Sequence, residues 1–162
     1  KALAYRLTQQ EPDKDTTDAV IITRRLVGAG SIVAIHGPIF RNYFQGHYPL
    51  LRRFIADLVD GLGIQWQVTA EASARLELIV REKAGKLVVN LVNRSAAEML
   101  MPRRVINEEL VPVEDVKLTV RLSRKPKAVT AVPEGELEWS YAKGLLQVTV
   151  PRVDVHTAIV IG

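Results

Sequence analysis

The chain has no cysteine at all and only three histidines among its 162 residues. Without cysteine there are no disulfides, no thiolate nucleophile and no cysteine-ligated zinc, and redox chemistry is not expected. The same absence leaves the compartment open, because many secreted proteins also lack disulfides. His36 and His47 stand eleven positions apart with no third ligand nearby, so no metal site and no cofactor are expected from them. No run approaches the roughly 18 apolar residues of a membrane span, and no short apolar leader follows the N-terminus. A nucleophile elbow, a phosphate-binding Gly-rich loop ending in Lys-Ser/Thr and an HExxH pattern are also missing. Methionine occurs only as Met99 and Met101 and the sequence begins at Lys1, so it reads as a piece of a longer polypeptide.

What remains has the composition of an ordinary globular protein, 48% hydrophobic and 25% charged, enough for one domain or two small ones. The net charge of +4 comes from 22 basic against 18 acidic residues, and the basic ones are scattered or paired, as in Arg24–Arg25, Arg52–Arg53 and Arg103–Arg104. A nucleic-acid surface would show a clustered basic stripe with aromatics between the charges, so neither nucleic acid nor membrane is an expected partner.

The hydrophobic period changes near Ile64 and divides the chain into 1–63 and 64–162. Residues Ala19 to Leu26 and Ser31 to Ile35 read as two strands joined across Gly28 and Gly30, a hairpin or short connection. A loop carrying His36, Arg41, Tyr43 and His47 follows, then a helix opened by Pro49. In that helix Leu50, Leu51, Phe54, Ile55, Leu58, Val59 and Leu62 recur as pairs four apart, with Gly61 and Gly63 as its stop signal. Two or three strands and one helix are half an α/β domain at most. Beyond Ile64 the period is 2. Leu76, Leu78 and Val80 alternate with polar partners, turn at Ala84–Gly85 and return through Leu87, Val89 and Leu91. Further strands are expected at Asp115–Leu122, Lys127–Pro133, Leu137–Ala142, Leu145–Pro151 and His156–Gly162. With "WQVTAE" they give about eight short strands, the pattern of an antiparallel β-sandwich. The fold class read from the sequence is therefore α+β: a partial α/β unit followed by a β-sandwich.

These residues resemble a family. "GAGSIVAIHGPIFRNYFQGHYPLLRRFIADLVDGLG" is similar to the end of the flavodoxin-like, amidotransferase-like "trimerisation" domain of bacterial glycoside hydrolases of the β-galactosidase and fucosidase-like kinds. A GxG turn, an apolar strand, an aromatic and histidine loop and a "HPxLRRLLxNxV"-like helix are matched by Gly28–Gly30, Ile32–Ile35, Tyr43, His47 and Pro49–Leu62. "KLVVNLVNRS" resembles the family's "vHLvN" strand, with Asn90 where histidine often stands. The resemblance implies that 1–63 is the C-terminal part of a flavodoxin-like domain and 64–162 a small β domain. It also implies a preceding catalytic barrel in the same polypeptide, a homo-oligomer and no catalytic residue in this chain.

Three sets of candidate residues stand against blander readings. His36, Arg41, Tyr43 and His47 suit an anion or sugar contact at the carboxyl end of a strand. The alternative, weighted more heavily, has His47 and Tyr48 fixing the approach to the helix while Phe40, Tyr43 and Phe44 pack against a neighbour. Trp139 and Tyr141 share one strand face and could stack on a sugar as a carbohydrate-binding module does; a core or interface role weighs more. Glu108, Glu109, Glu114 and Asp115 could suggest paired carboxylates for glycoside hydrolysis but sit in a proline-containing loop, where solvated charge is the stronger reading.

Overall fold

Three strands open the computed structural model, which describes residues 2–7, 16–95, 110–133 and 135–162. The chain divides into two units, Lys1–Gln65 and Trp66–Gly162. In the first, β1 (Ala2–Leu7), β2 (Thr16–Val27) and β3 (Gly30–Ile35) form a sheet in that order. Both pairings are antiparallel. The connection from β2 to β3 is Gly28–Ala29 alone, and so short a link can only reverse the chain, since a parallel return needs a dozen residues or more. The parallel pairing implied by a flavodoxin-like unit is thus absent among the described residues.

Two helices follow. α1 (Ile39–Gly46) occupies what reads in sequence as an aromatic loop, and α2 (Pro49–Asp60) begins with Pro49 in its first turn, as the sequence predicts. α1 escapes sequence detection because it spans barely two turns, has no side-chain cap and carries no acidic residue in its first turn. Its signal is the spacing of Phe40, Tyr43, Phe44 and His47, three and four apart. Along α2 the apolar stripe of Leu51, Phe54, Ile55, Leu58 and Val59 is half-buried, while Arg52, Arg53, Asp57 and Asp60 are exposed. Arg24 of β2 donates through Nη1 to the Gly61 carbonyl at 3.0 Å, fastening the end of α2 to the sheet. Ile22, on β2, is fully buried.

The second unit is two antiparallel sheets. β10 (Trp139–Ala142), β11 (Leu145–Val153), β7 (Val113–Arg121) and β4 (Val68–Glu71) form one in that order. The other is ordered β5 (Leu76–Lys83), β6 (Lys86–Asn93), β12 (His156–Ile161), β8 (Val129–Val132) and β9 (Gly135–Glu136). Alternate residues of both sheets meet in one core. Val116, Leu118, Val120, Leu146, Val148 and Val150 come from the first sheet, and Val89, Leu91, Val129, Ala131, Ile159 and Ile161 from the second. Fully burying such a side chain is worth about 1.5–3 kcal/mol, which is what holds the two sheets face to face.

Turn chemistry sets the register. The β5–β6 hairpin closes over Ala84 (φ 51°) and Gly85 (φ 73°), and the β10–β11 hairpin over Lys143 (φ 51°) and Gly144 (φ 81°). Both are two-residue loops with two left-handed residues, the form whose twist matches a right-twisted ribbon and which favours glycine in its second position. β7 and β11 also reset their in-out alternation together. Val113 and Val153 face inward, then Glu114, Asp115, Pro151 and Arg152 all face out before Val116 and Val150 resume the core row. Pro151 has no N–H to give the ladder, and Asp115 opposite it takes φ 53°.

Candidate functional site

His36 follows β3 and continues the ladder, its backbone N–H donating to the Ile21 carbonyl at 2.8 Å. Its Nε2 lies 3.1 Å from Thr23 Oγ1 on the neighbouring strand. His47 lies beyond α1, where it ends the helix in the left-handed conformation (φ 45°) and donates its backbone N–H to the Tyr43 carbonyl at 2.7 Å. Its ring rests 5.6 Å from Tyr43 and 6.5 Å from Phe44, centroid to centroid. The structure therefore joins Tyr43 and His47 as partners within one helix end, gives His36 to Thr23, and leaves Arg41 exposed on α1. The expected loop between the histidines is a helix. Each imidazole has a structural partner, the arrangement that suits a corner more than a catalytic pair.

Between β3, α1 and α2 lies a cleft of about 340 Å³ lined by Val33, Ile35, Phe40 and the α2 side of Ile55, Leu58, Val59 and Leu62. No titratable side chain lines it. Such a surface can take an apolar group, but it offers neither a general acid or base nor a hydrogen-bond donor to orient a sugar.

Trp139 and Tyr141 do share a face of β10, and it is the inward one. Both pack against the core, while Ser140 and Ala142 between and beside them are exposed. Tyr141 donates its hydroxyl to the Leu122 carbonyl at 3.2 Å. Lys125 Nζ sits 5.7 Å from the Trp139 ring centroid, placing a cation over the indole. A sugar platform needs an aromatic plane turned to solvent, and these two rings are turned the other way.

Of the acidic candidates, Glu108 and Glu109 lie outside the described residues. Glu114 and Asp115 belong to β7 and not to a loop, because the ladder with β11 extends to Val113–Val153. Both are exposed. Arg152 makes Nε and Nη2 contacts of 2.7 Å with Asp154 Oδ1 and reaches Glu114 Oε1 at 3.8 Å. The hydrogen bond and charge of Asp154, with a smaller contribution from Glu114, raise the Arg152 pKa further above its ordinary value. This is a solvated ion cluster, not a pair of carboxylates facing each other across a cleft. Among the described residues no three His, Asp or Glu side chains gather to hold a metal ion, and no helix is long and apolar enough to cross a membrane.

Sequence reasoning missed two polar constellations. Asn93, 6% exposed, ties the end of β6 to the approach to β7 and to the β11–β12 turn. Asn90 Oδ1 lies 3.0 Å from His156 Nε2 on the outer face of the five-stranded sheet, and Asn90 Nδ2 donates to the Ile79 carbonyl at 3.2 Å. The signal was an asparagine at both parities of the apolar strand "KLVVNLVN".

No family model matches this chain, and no curated protein does. Among solved structures, the chain is similar in fold to the alpha-L-fucosidase isoenzyme 2 from Paenibacillus thiaminolyticus, with a TM-score of 0.68 and 20% sequence identity. The likeness covers 98% of this chain and 24% of that one. This chain thus spans about a quarter of the length of the solved chain it matches.

Proposed function

We propose that this chain is a non-catalytic accessory region of a glycoside hydrolase, C-terminal to the catalytic barrel of the same polypeptide. In this reading it packs on that barrel, contributes to an oligomer contact and shapes the entrance to the active site. The observation that carries the reading is the extent of the likeness to an alpha-L-fucosidase: 98% of this chain, both units and not the sandwich alone. A β-sandwich by itself hosts many unrelated functions. Its combination with a small helix-bearing sheet unit is a narrower match, and it agrees with the sequence resemblance to galactosidase-like and fucosidase-like enzymes. For the first unit, α1 and α2 facing β3 across the apolar cleft support a remnant of a layered α/β domain, while its antiparallel strands depart from the flavodoxin pattern.

The alternative, a free-standing carbohydrate-binding module built on Trp139 and Tyr141, draws no support from the inward packing of both rings. The test is a turnover assay with a panel of nitrophenyl glycosides, run on the 162-residue chain and on the full-length polypeptide that contains it. Hydrolysis by the longer polypeptide alone supports the proposal. Hydrolysis by this chain, lost in His47→Ala, contradicts it.

A further inference from the structure

The two outer faces of the sandwich differ in chemistry. On the four-stranded sheet, Glu71, Lys117, Arg121, Gln147, Thr149 and Ser140 point outward, as expected of a surface that meets water. On the five-stranded sheet the core row is Leu76, Leu78, Leu87, Val89, Leu91, Val129, Ala131, Ile159 and Ile161. By strict alternation the residues between them point away from the core. Among them are the apolar Ile79, Val88, Val92, Ala158, Val160 and Val132, the last 55% exposed, interleaved with Glu77, Arg81, Asn90, Thr130 and His156. The register sets them side by side: Ala158 pairs with Asn90 and with Val132, Val160 with Val88, and Ile79 with Asn90.

An antiparallel sheet with one solvated face shows apolar-in, polar-out alternation, whereas strands covered on both faces read as continuous apolar runs. "HTAIVI" and "KLVVNLVN" lean toward the second kind, their outward rows being apolar except at Lys86, Asn90 and His156. In the middle of the face, the His156–Asn90 hydrogen bond and the Asn90–Ile79 bond occupy the polar atoms there. Glu77, held 3.4 Å from Arg94, lies at its margin. An apolar centre with satisfied polar groups and charge at the rim is the anatomy of an interface.

We infer that this outer face is the surface by which the sandwich docks on another folded domain of the same polypeptide, an inference that rests on the accessory-region reading. Size selects the occupant. Four strands about 4.8 Å apart and six residues long at about 3.4 Å each give a footprint of roughly 300–400 Å². A free-standing dimer needs about 800 Å² per partner. Interfaces between domains of one chain begin at about 600 Å² in total, or 300 Å² per side, because the linker already holds the partners close. The solved chain of like fold continues for three-quarters of its length beyond the matched part, which supplies a partner of the right kind.

These 162 residues contain no cysteine, so an introduced thiol is the only one among them and is followed on its own peptide. A single thiol is introduced as Ala158→Cys on the apolar face or Thr149→Cys on the polar one, with Val92→Cys as a second probe should Ala158→Cys fail to fold. Maleimide labelling is then followed by peptide mass spectrometry in the native full-length polypeptide and in the 162-residue chain. The expected result is labelling of residue 158 about tenfold or more slower than residue 149 in the full-length protein, with similar rates in the shorter chain. Protection already present in the 162-residue chain assigns the face to a contact within or between copies of this chain, and overturns the inference. Equal rates in a full-length protein that hydrolyses glycosides also overturn it, while leaving the accessory reading standing. Equal rates in a full-length protein without glycosidase activity overturn both.

Discussion

Asn93 and Asp154 lie 61 residues apart in sequence, yet the Asn93 Nδ2 donates to the Asp154 carbonyl at 2.7 Å. The same amide donates to the Val111 carbonyl at 2.9 Å, and Asn93 Oδ1 accepts from the Ser95 backbone N–H at 3.0 Å. One buried side chain thereby ties the end of β6 to the approach to β7 and the end of β11, which belong to the other sheet. Asn93→Ala removes this donor from the Asp154 and Val111 carbonyls, the latter keeping the Ser95 hydroxyl at 3.0 Å, and is expected to cost about 2–3 kcal/mol in chemical denaturation of the chain.

Asn93→Asp separates hydrogen bonding from size. The introduced carboxylate would face carbonyl oxygens in a buried site, so its pKa in the folded state is raised above that in the unfolded state. The folded state then binds more protons than the unfolded one at intermediate pH, and stability falls as pH rises through that window. The variant is expected to recover toward wild type as the pH is lowered into the carboxylate range, whereas Asn93→Ala is not. Parallel denaturation curves at several pH values check this.

Trp139 and Tyr141 should behave as structural residues. Trp139→Ala is expected to lower stability by about 2 kcal/mol, less than a fully buried tryptophan would lose. Tyr141→Phe, which removes the hydroxyl bonded to Leu122, should lower it by about 0.5–1.5 kcal/mol. Calorimetric titration of the chain with soluble mono- and oligosaccharides should give no heat that depends on Trp139. Saturable sugar binding abolished by Trp139→Ala would move the assignment to a carbohydrate-binding module.

The turn at Ala84–Gly85 places an alanine at φ 51°, where a Cβ is strained by about 1–2 kcal/mol. Ala84→Asn gives the Asn-Gly pair that two-residue hairpins favour and should raise stability by about 0.5–1 kcal/mol, read as an increased denaturation midpoint with an unchanged slope.

His47 holds the same left-handed conformation at the end of α1. If its work is to end that helix, His47→Gly will be more stable than His47→Ala by about 1 kcal/mol, because glycine takes positive φ without strain. A full-length glycosidase should keep its turnover in both variants. Equal loss of turnover in both, with stability intact, would make His47 a functional group.

Much of the sandwich was legible because each half-buried strand states its own face. The alternation of Leu76–Val80 and Leu87–Leu91 and the turns at Ala84–Gly85 and Lys143–Gly144 are local signals, and the hairpins follow them. What was not legible depended on partners distant in sequence. Glu114 looked like a loop residue and Asp115 stood at the edge of loop and expected strand, since only the pairing of Val113 with Val153 extends β7 over both. α1 looked like a loop because three aromatic residues in eight positions, without a side-chain cap, give too little periodicity. The histidines were singled out by residue type. Their partners, Thr23 for His36 and Tyr43 for His47, became visible only once the strand pairing and the helix were known. The apolar outer face was written in "HTAIVI", but a strand whose last four residues are all apolar does not say which side is the core.

The intact mass of the native protein purified from its source tests the accessory-region account most directly. A mass several times the 18.0 kDa of this chain, with a barrel pattern of alternating strands and helices encoded ahead of Lys1, is the predicted result. A native mass of 18.0 kDa would contradict it.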